Sequence, residues 1–378
     1  MNHMTDKKQQ GIALITVLLV LSLATVAAVS MTSRQQLDIR RTTNILLIEE
    51  AYATLLAVED FAKRGLIEDA KQSNTDAFND FWASEEIQKQ AIPVGNFTLT
   101  EFYVEDLQGR FNLTNLMDAN GTSVDTNHQS NFRRLLNEVG LPASLVNASI
   151  DWMDDNANPT GNDGAESDMY SSLEKPYRTP NTLMASASEL FRLHGVNLTG
   201  LQDSNNTNRE YRQKICMMLL GDELVCGIST QPDPVTQQVA SLEKNLLISL
   251  PERTPINVNT VASPAIYMML VRGLSRADAE AIYSDIQISV KDKDAKFTNS
   301  NGFWTHPKIQ NLNPRFPESE RVEISVSSNY FLFRAQAINK TNEDFVVYLN
   351  TIMKRTSNQG AATTVEVVRR SFGKAGEI

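Results

Sequence analysis

Apolar residues fill one uninterrupted run near the amino terminus. Residues 12–33 read IALITVLLVLSLATVAAVSMTS and carry no charge. A helix of this length rises about 33 Å, which is enough to cross a bilayer core of roughly 30 Å. Lys7 and Lys8 precede the run, and no basic residue follows it until Arg34. The pattern therefore predicts one membrane-spanning helix, with the bulk of the chain outside the cytoplasm.

Beyond residue 33 the pattern becomes amphipathic. Apolar residues recur at steps of three and four, at Leu37, Leu47, Ala51, Leu55, Val58 and Ala62. No Gly or Pro interrupts residues 12–64, so we predict one continuous helix of about 53 residues that ends at Gly65. Two alternative interpretations of the apolar run are a plain membrane anchor and a signal peptide cleaved near Ala27 and Ala28. A cleaved signal peptide has no need to continue into a helix.

Strand patterns lie on both sides of a helical region. Residues 96–106 alternate in the manner of a strand, and residues 322–355 contain three runs rich in Val, Ile, Phe and Tyr. We expect these runs to form an antiparallel meander that pairs with the strand near residue 100. Helical patterns occupy residues 131–141, 144–156, 187–196, 208–220 and 262–286. The last of these contains a helical hairpin at Gly273, which lacks the second Gly of phosphate-binding hairpins, so we interpret it as structural.

The amino-acid composition excludes several classes of function. The chain of 378 residues has 35 basic and 45 acidic residues, a net charge of −10. This balance argues against a nucleic-acid partner, because binding phosphates needs a basic surface. Two cysteines and four histidines, none in an HExxH pattern, disfavour a zinc hydrolase. No GxSxG, P-loop or dinucleotide fingerprint occurs. We therefore expect no enzyme activity.

The amino terminus resembles the type IV pilin class, in which a short basic leader ends in Gly before an apolar helix. The resemblance implies that a prepilin peptidase cuts between Gly11 and Ile12 and methylates the new amino terminus. Most pilins carry Glu at mature position five, whereas Thr16 stands there in this chain. The missing carboxylate, the unusual length and the stretch RFNLTNL (110–116) resemble the minor pseudopilin K family of type II secretion systems.

This resemblance implies an α+β, pilin-like fold, in which a long amino-terminal helix packs on a small antiparallel sheet. A large inserted all-α domain then contains a helix-hairpin-helix-like unit. The predicted parts are a leader (1–11), a membrane or filament-core segment (12–33), the first part of the pilin domain (34–120), the inserted helical domain (121–250), a second helical unit (251–320), the last pilin strands (321–355) and a flexible tail (356–378).

The resemblance also implies a role at the tip of a secretion filament, where the protein would initiate assembly and limit growth. Expected partners are the I-type and J-type minor pseudopilins, the major pseudopilin and the prepilin peptidase. The secretin and the exoproteins are further candidates. We expect a single-pass inner-membrane protein of a Gram-negative bacterium, with its bulk in the periplasm. A type IV pilus minor pilin is the main alternative. A membrane-tethered periplasmic enzyme or DNA receptor is the other.

One segment concentrates the candidate site chemistry. Between residues 135 and 174 there are eight acidic residues and no Lys or Arg. Carboxylates crowded in this way repel each other unless a cation binds, and oxygen ligands without His or Cys favour calcium. Pro159 replaces the turn Gly of an EF-hand, so the loop is not an EF-hand. A solvated acidic loop is the alternative. The resemblance implies calcium here, with the expected ligands Asp151, Asp154, Asn156, Asp163, Glu166 and Asp168.

The two cysteines, Cys216 and Cys226, are separated by nine residues. A periplasmic location predicts a disulfide between them. Two unpaired, buried thiols are the alternative.

Overall fold

The computed structural model describes residues 7–84, 90–194, 196, 206–220, 226, 245–292, 297–312, 314–357 and 362–373. The chain divides into two compact units, residues 1–57 and 58–378. The boundary falls inside helix α1, which spans Lys7–Gln72 without a break. The continuous helix predicted from the sequence is therefore confirmed.

The first unit contains the apolar part of α1. Large apolar side chains between Leu14 and Met31 are more than half exposed. Within the described residues, the helical stretch Ala13–Gln72 is long and apolar enough to cross a membrane, with a mean hydropathy of 2.5 in its most apolar window. The Thr16 hydroxyl donates a hydrogen bond to the Ala13 carbonyl at 2.9 Å. The Thr16 hydroxyl is thus satisfied within its own helix.

The second unit is built on a five-stranded antiparallel sheet. Its strands are β1 (Ile92–Val94), β2 (Phe97–Asp106), β7 (Tyr330–Asn339), β8 (Val346–Thr356) and β9 (Thr364–Ser371), in the order β1-β2-β7-β8-β9. Thr98 pairs with Ile338, so the sheet joins segments far apart in the sequence. β7 is buried along Tyr330–Phe333 because both of its faces are covered.

Between β2 and β7 lies the helical insertion. Its described helices are α2 (Thr126–Glu138), α3 (Ser144–Met153), α4 (Ser167–Ser171), α5 (Asn206–Leu220), α6 (Pro264–Leu270), α7 (Arg276–Asp292), α8 (Ser300–Trp304) and α9 (Pro307–Gln310). Two short parallel strand pairs accompany them, β3 (Phe111–Asn112) with β4 (Leu247–Ile248) and β5 (Ile256–Asn257) with β6 (Ile324–Ser325). One large apolar core, from Phe111 to Ile324, holds this insertion together.

The RFNLTNL stretch has a structural role in the described chain. The Asn112 side chain donates to the Glu252 carbonyl at 2.8 Å and accepts from the Leu250 N–H at 3.0 Å. The Asn115 side chain donates to the Thr254 carbonyl at 2.8 Å and accepts from its N–H at 3.0 Å. These side-chain amides extend the contact beyond the pairing of β3 with β4 and hold residues 250–254 beside β3 and the turn that follows it.

The fold class predicted from the sequence is confirmed, with three local corrections. The helix end predicted at Gly65 is wrong, since α1 continues to Gln72. Leu66 is fully buried, so its burial offsets the low helix propensity of glycine. The tail predicted from residue 356 is wrong for Thr364–Ser371, which form edge strand β9. The first run of the expected meander is β6, which pairs in parallel with β5 instead.

Candidate metal centre

The acidic segment folds as a loop between two helices. Asp151 lies in the last turn of α3, and Asp154 is the residue at its carboxyl end, with an extended backbone. Glu166 occupies the corresponding position before α4. The connecting loop turns at Gly161, which has a φ of +67°, a conformation that favours glycine. As a result, the end of one helix and the start of the next lie side by side.

Three carboxylates converge there, and we call Asp151, Asp154 and Glu166 the Asp151 cluster. One oxygen from each lies within 4.8 Å of the others. Their exposed fractions are 0%, 3% and 6%. The Thr160 N–H donates to Asp151 Oδ1 at 2.9 Å, which fixes the orientation of this carboxylate. The site is therefore buried and held in place by the loop backbone.

Gly164 allows the loop to approach Asp151. A Cβ at position 164 would lie 2.2 Å from Asp151 Oδ2 and 2.5 Å from the Thr160 backbone nitrogen. Real Cβ atoms essentially never come so close, so only glycine fits without a shift. Gly164 and Thr160 are not among the residues predicted from the sequence, because nothing in a single sequence shows a close approach between backbone and carboxylate.

The electrostatics of the Asp151 cluster are those of uncompensated negative charge. Burial, followed by the charges of Asp151 and Asp154, raises the pKa of Glu166 to about 7. Burial and the charge of Asp151 also raise the pKa of Asp154. Asp154 Oδ1 and Glu166 Oε1 are buried without a hydrogen-bond partner. Buried oxygens of this kind are costly unless a proton or a cation neutralises them.

The donor set fits a hard divalent cation. Calcium takes oxygen ligands at 2.3–2.6 Å, so two oxygens on opposite sides of one ion are separated by about 5 Å. The separations within the Asp151 cluster stay under that limit. Asp151, Asp154 and Glu166 would hold the ion, which would supply positive charge and link the two helix ends.

The other predicted ligands are placed differently. The Asn156 backbone and side chain hydrogen-bond to Asp154. The Asn156 side-chain oxygen also accepts from the Asn158 N–H at 2.8 Å, so this residue shapes the loop. Asp163 and Asp168 are exposed and lie outside the Asp151 cluster.

An aromatic group packs beside the acidic loop. Trp152 meets Tyr170 edge to face, with ring centroids 5.5 Å apart. Its indole Nε1 donates to Glu189 at 2.7 Å. Trp152 is 3% exposed, so this indole is part of the core and holds α3 in place.

The other sequence-predicted residues lie elsewhere. Gly11 and Ile12 belong to the first turns of α1, and residues 1–6 of the expected leader lie outside the described residues. A disulfide joins Cys216, in α5, to Cys226. The structure thus contains the bonded alternative of the two considered for these cysteines.

Comparison with known proteins gives consistent matches. Residues 109–207 match the family model for type II secretion system (T2SS), protein K. Type II secretion system protein K of Pseudomonas aeruginosa is 27% identical over 379 residues, covering 97% of this chain and 94% of that protein. The protein of the same name from Aeromonas hydrophila is 33% identical over 202 residues, covering 50% of this chain and 60% of that protein.

The fold also has a solved counterpart. A chain in the crystal structure of the GspK-GspI-GspJ complex from the enterotoxigenic Escherichia coli type 2 secretion system aligns with a TM-score of 0.59. The alignment covers 88% of this chain and 99% of that chain at 16% identity. At this identity the likeness establishes the shared fold.

Proposed function

Because this chain belongs to the type II secretion system protein K family, we propose that it acts as the minor pseudopilin at the tip of the secretion filament. There it initiates assembly and limits filament growth during export of folded proteins across the outer membrane. The observation that carries this role is Thr16, which stands in an uncharged apolar helix. The family matches favour this role over the type IV pilus alternative.

The argument concerns charge within an apolar filament core. A buried ammonium group costs several kcal/mol unless a carboxylate pairs with it. The Thr16 hydroxyl already bonds to its own helix and has no negative charge to offer a neighbouring subunit. A subunit with this residue suits the filament end, where that neighbour is absent.

Location and partners follow from the same role. The apolar part of α1 anchors the chain in the inner membrane before assembly, and the second unit lies in the periplasm. The structural counterpart belongs to a GspK-GspI-GspJ complex. We infer that this chain likewise assembles with two further minor pseudopilins and rests on the major pseudopilin.

Tip location is tested by labelling. Gold-labelled antibody against the second unit should mark one end of each isolated filament, and label along the shaft would refute the proposal. Thr16→Glu should reduce filament number, because its carboxylate has no neighbouring ammonium to pair with. Thr16→Val is the matched control, since it adds no charge, and it should assemble normally.

Processing is tested separately. The mature chain should begin with a methylated Ile12, as read by mass spectrometry of the purified protein. Gly11→Val should retain residues 1–11, whereas the neighbouring Gln9→Ala should be processed normally. Normal processing of Gly11→Val would contradict cleavage by a prepilin peptidase at this site.

We further propose that the Asp151 cluster binds calcium and stabilises the helical insertion. The orphaned oxygens of Asp154 and Glu166 support this assignment. Calcium should raise the unfolding temperature of the full chain, and Asp154→Asn should remove most of that gain. Asp118→Asn changes a half-buried loop carboxylate outside the Asp151 cluster and serves as the control. An equal calcium response in Asp154→Asn would refute the assignment.

A further inference from the structure

An open cleft of about 700 Å³, which includes its mouth, lies between the five-stranded sheet and the helical insertion. Its sheet side contains a cross-strand row, in which Leu332 pairs with Ile352 and Ile352 pairs with Arg369. The neighbouring Thr351 hydroxyl donates to Glu59 of α1, so Ile352 points away from α1. The cleft therefore occupies the sheet face that α1 leaves uncovered.

Positive charge is concentrated in this cleft. Arg110, Arg334 and Arg369 line it, and we call it the arginine cleft. No Asp or Glu occurs among the described residues of its lining. Arg110 forms an ion pair with Glu105, whereas Arg334 and Arg369 form none with the described part of the chain. Three positive charges and one negative charge leave a formal +2, in a chain whose net charge is −10.

The hydrogen-bonding capacity of these guanidiniums is only partly used. Arg334 Nη1 donates to the Tyr103 hydroxyl at 3.0 Å, and Arg369 Nη1 donates to the Ala185 carbonyl at 3.3 Å. The Nε atoms of Arg334 and Arg110 are buried without a hydrogen-bond partner. A guanidinium presents five N–H donors in a fork that matches a carboxylate. Arg334 and Arg369 thus keep donors for an acidic ligand.

A bulge in β2 places Tyr103 against Arg334. The register of β2 on β7 shifts between Thr100 and Tyr103, and Glu101 inside the bulge has a φ of +52°. This left-handed conformation is uncommon outside glycine, and strained residues of this kind are concentrated at functional sites. The shift pairs Tyr103 with Arg334, whose guanidinium carbon lies 5.8 Å from the centre of the Tyr103 ring. Tyr103 therefore orients this arginine.

We propose that the arginine cleft binds an acidic segment of a partner polypeptide, in which a Glu or Asp adjoins a large apolar residue. Arg334 and Arg369 pair with the carboxylate. Leu332 and Ile352 contact the apolar side chain. An inorganic anion would match the arginines but leave this apolar floor uncovered, whereas an acidic and apolar segment covers both. The inference is independent of the filament-tip role and of the Asp151 cluster.

The test is fluorescence anisotropy of the full chain in detergent with a labelled, carboxyl-amidated peptide of sequence Gly-Leu-Glu-Leu-Glu-Gly. Binding should weaken as salt rises, because ions screen the attraction between charges. Two matched peptides replace both Glu residues with Gln or with Lys. Each should bind about tenfold more weakly or less, since every lost charged hydrogen bond contributes that much to affinity.

Variants of the full chain identify the site. Arg334→Gln and Arg369→Gln should each weaken binding of the acidic peptide by about tenfold, and the double variant should abolish it. Arg315→Gln removes an exposed arginine outside the cleft lining, so it is the matched control and should bind normally. Near-ultraviolet circular dichroism should confirm that each variant folds.

The outcomes are distinct. Loss of acidic-peptide binding in the double variant, with normal binding in Arg315→Gln, supports the arginine cleft. Equal binding of the Glu and Gln peptides overturns the proposal, as does unchanged binding in the double variant or no binding by the unmodified chain. Displacement of the peptide by an equal concentration of free phosphate or acetate overturns the assignment of a polypeptide and leaves a small anion as the occupant.

Discussion

Gly164→Ala tests the geometry of the Asp151 cluster with the smallest possible change. The added Cβ would lie 2.2 Å from Asp151 Oδ2, and contacts under 3.0 Å are essentially never observed. The carboxylate or the loop must therefore move by at least 0.8 Å, which is 3.0 minus 2.2. The backbone of Gly164 is outside the left-handed region, so the expected cost is steric.

The size of the effect follows from burial. Asp151 is fully buried and is held by the Thr160 N–H, so neither group can move into open space. Overpacking at such a position costs about 1–3 kcal/mol. A shift of that size moves a ligand oxygen well outside the range of about 2.3–2.6 Å for calcium–oxygen bonds, so calcium affinity should fall as well. At calcium 100 times above its dissociation constant, the unmodified protein gains about 2.7 kcal/mol, and the variant should lose most of that gain.

The assay compares thermal unfolding of the full chain in calcium and in a chelator. Gly164→Ala should unfold at lower temperature in both conditions and show little difference between them. Gly302→Ala is the matched control, because its Cβ would meet Phe297 at an ordinary 3.5 Å. A full calcium-dependent gain in Gly164→Ala would refute both the close approach and the ligand role of Asp151.

Three further predictions concern stability in the second unit. Reducing the Cys216–Cys226 disulfide should lower the free energy of unfolding by about 3 kcal/mol, measured by denaturant titration with and without reductant, because a loop spanning ten residues is released. Gly109→Ala should prevent folding or cost more than about 3 kcal/mol, seen as lost soluble yield, because its Cβ would lie 1.9 Å from the Thr260 carbonyl oxygen. Burial raises the pKa of Asp106 to about 6, so the carboxyl group binds its proton more tightly in the native state than in the unfolded state. The contribution of the protonated Asp106 to the free energy of unfolding should therefore fall as pH rises from about 4 to 6. Asp106→Asn should flatten that part of a pH series of unfolding curves, and an unchanged slope would contradict it.

The parts of the fold that depend on local pattern could be predicted. The unbroken α1 follows from the absence of Gly and Pro between residues 12 and 64, and β2 follows from alternation in residues 96–106. Edge strand β9 was missed because its burial alternates only weakly and its residues are mostly polar or exposed. Its place depends on pairing with β8, a tertiary contact that the local pattern does not contain.

The residues of the candidate site could also be predicted only in part. The excess of acid in residues 151–168 identified Asp151, Asp154 and Glu166, because a short loop brings its own residues together. The sequence could not separate them from Asp163 and Asp168, whose exposure depends on how the loop turns.

The sheet joins residues from the two ends of the second unit. Thr98 pairs with Ile338, 240 positions later, and β9 completes the edge only at Thr364–Ser371. Closing a loop of that length costs conformational entropy before any strand contact forms, which slows folding. During synthesis, the amino-terminal strands must therefore wait, unpaired, until nearly the whole polypeptide has emerged. Any factor that shields β2 in that interval would govern how much of this protein reaches its native state.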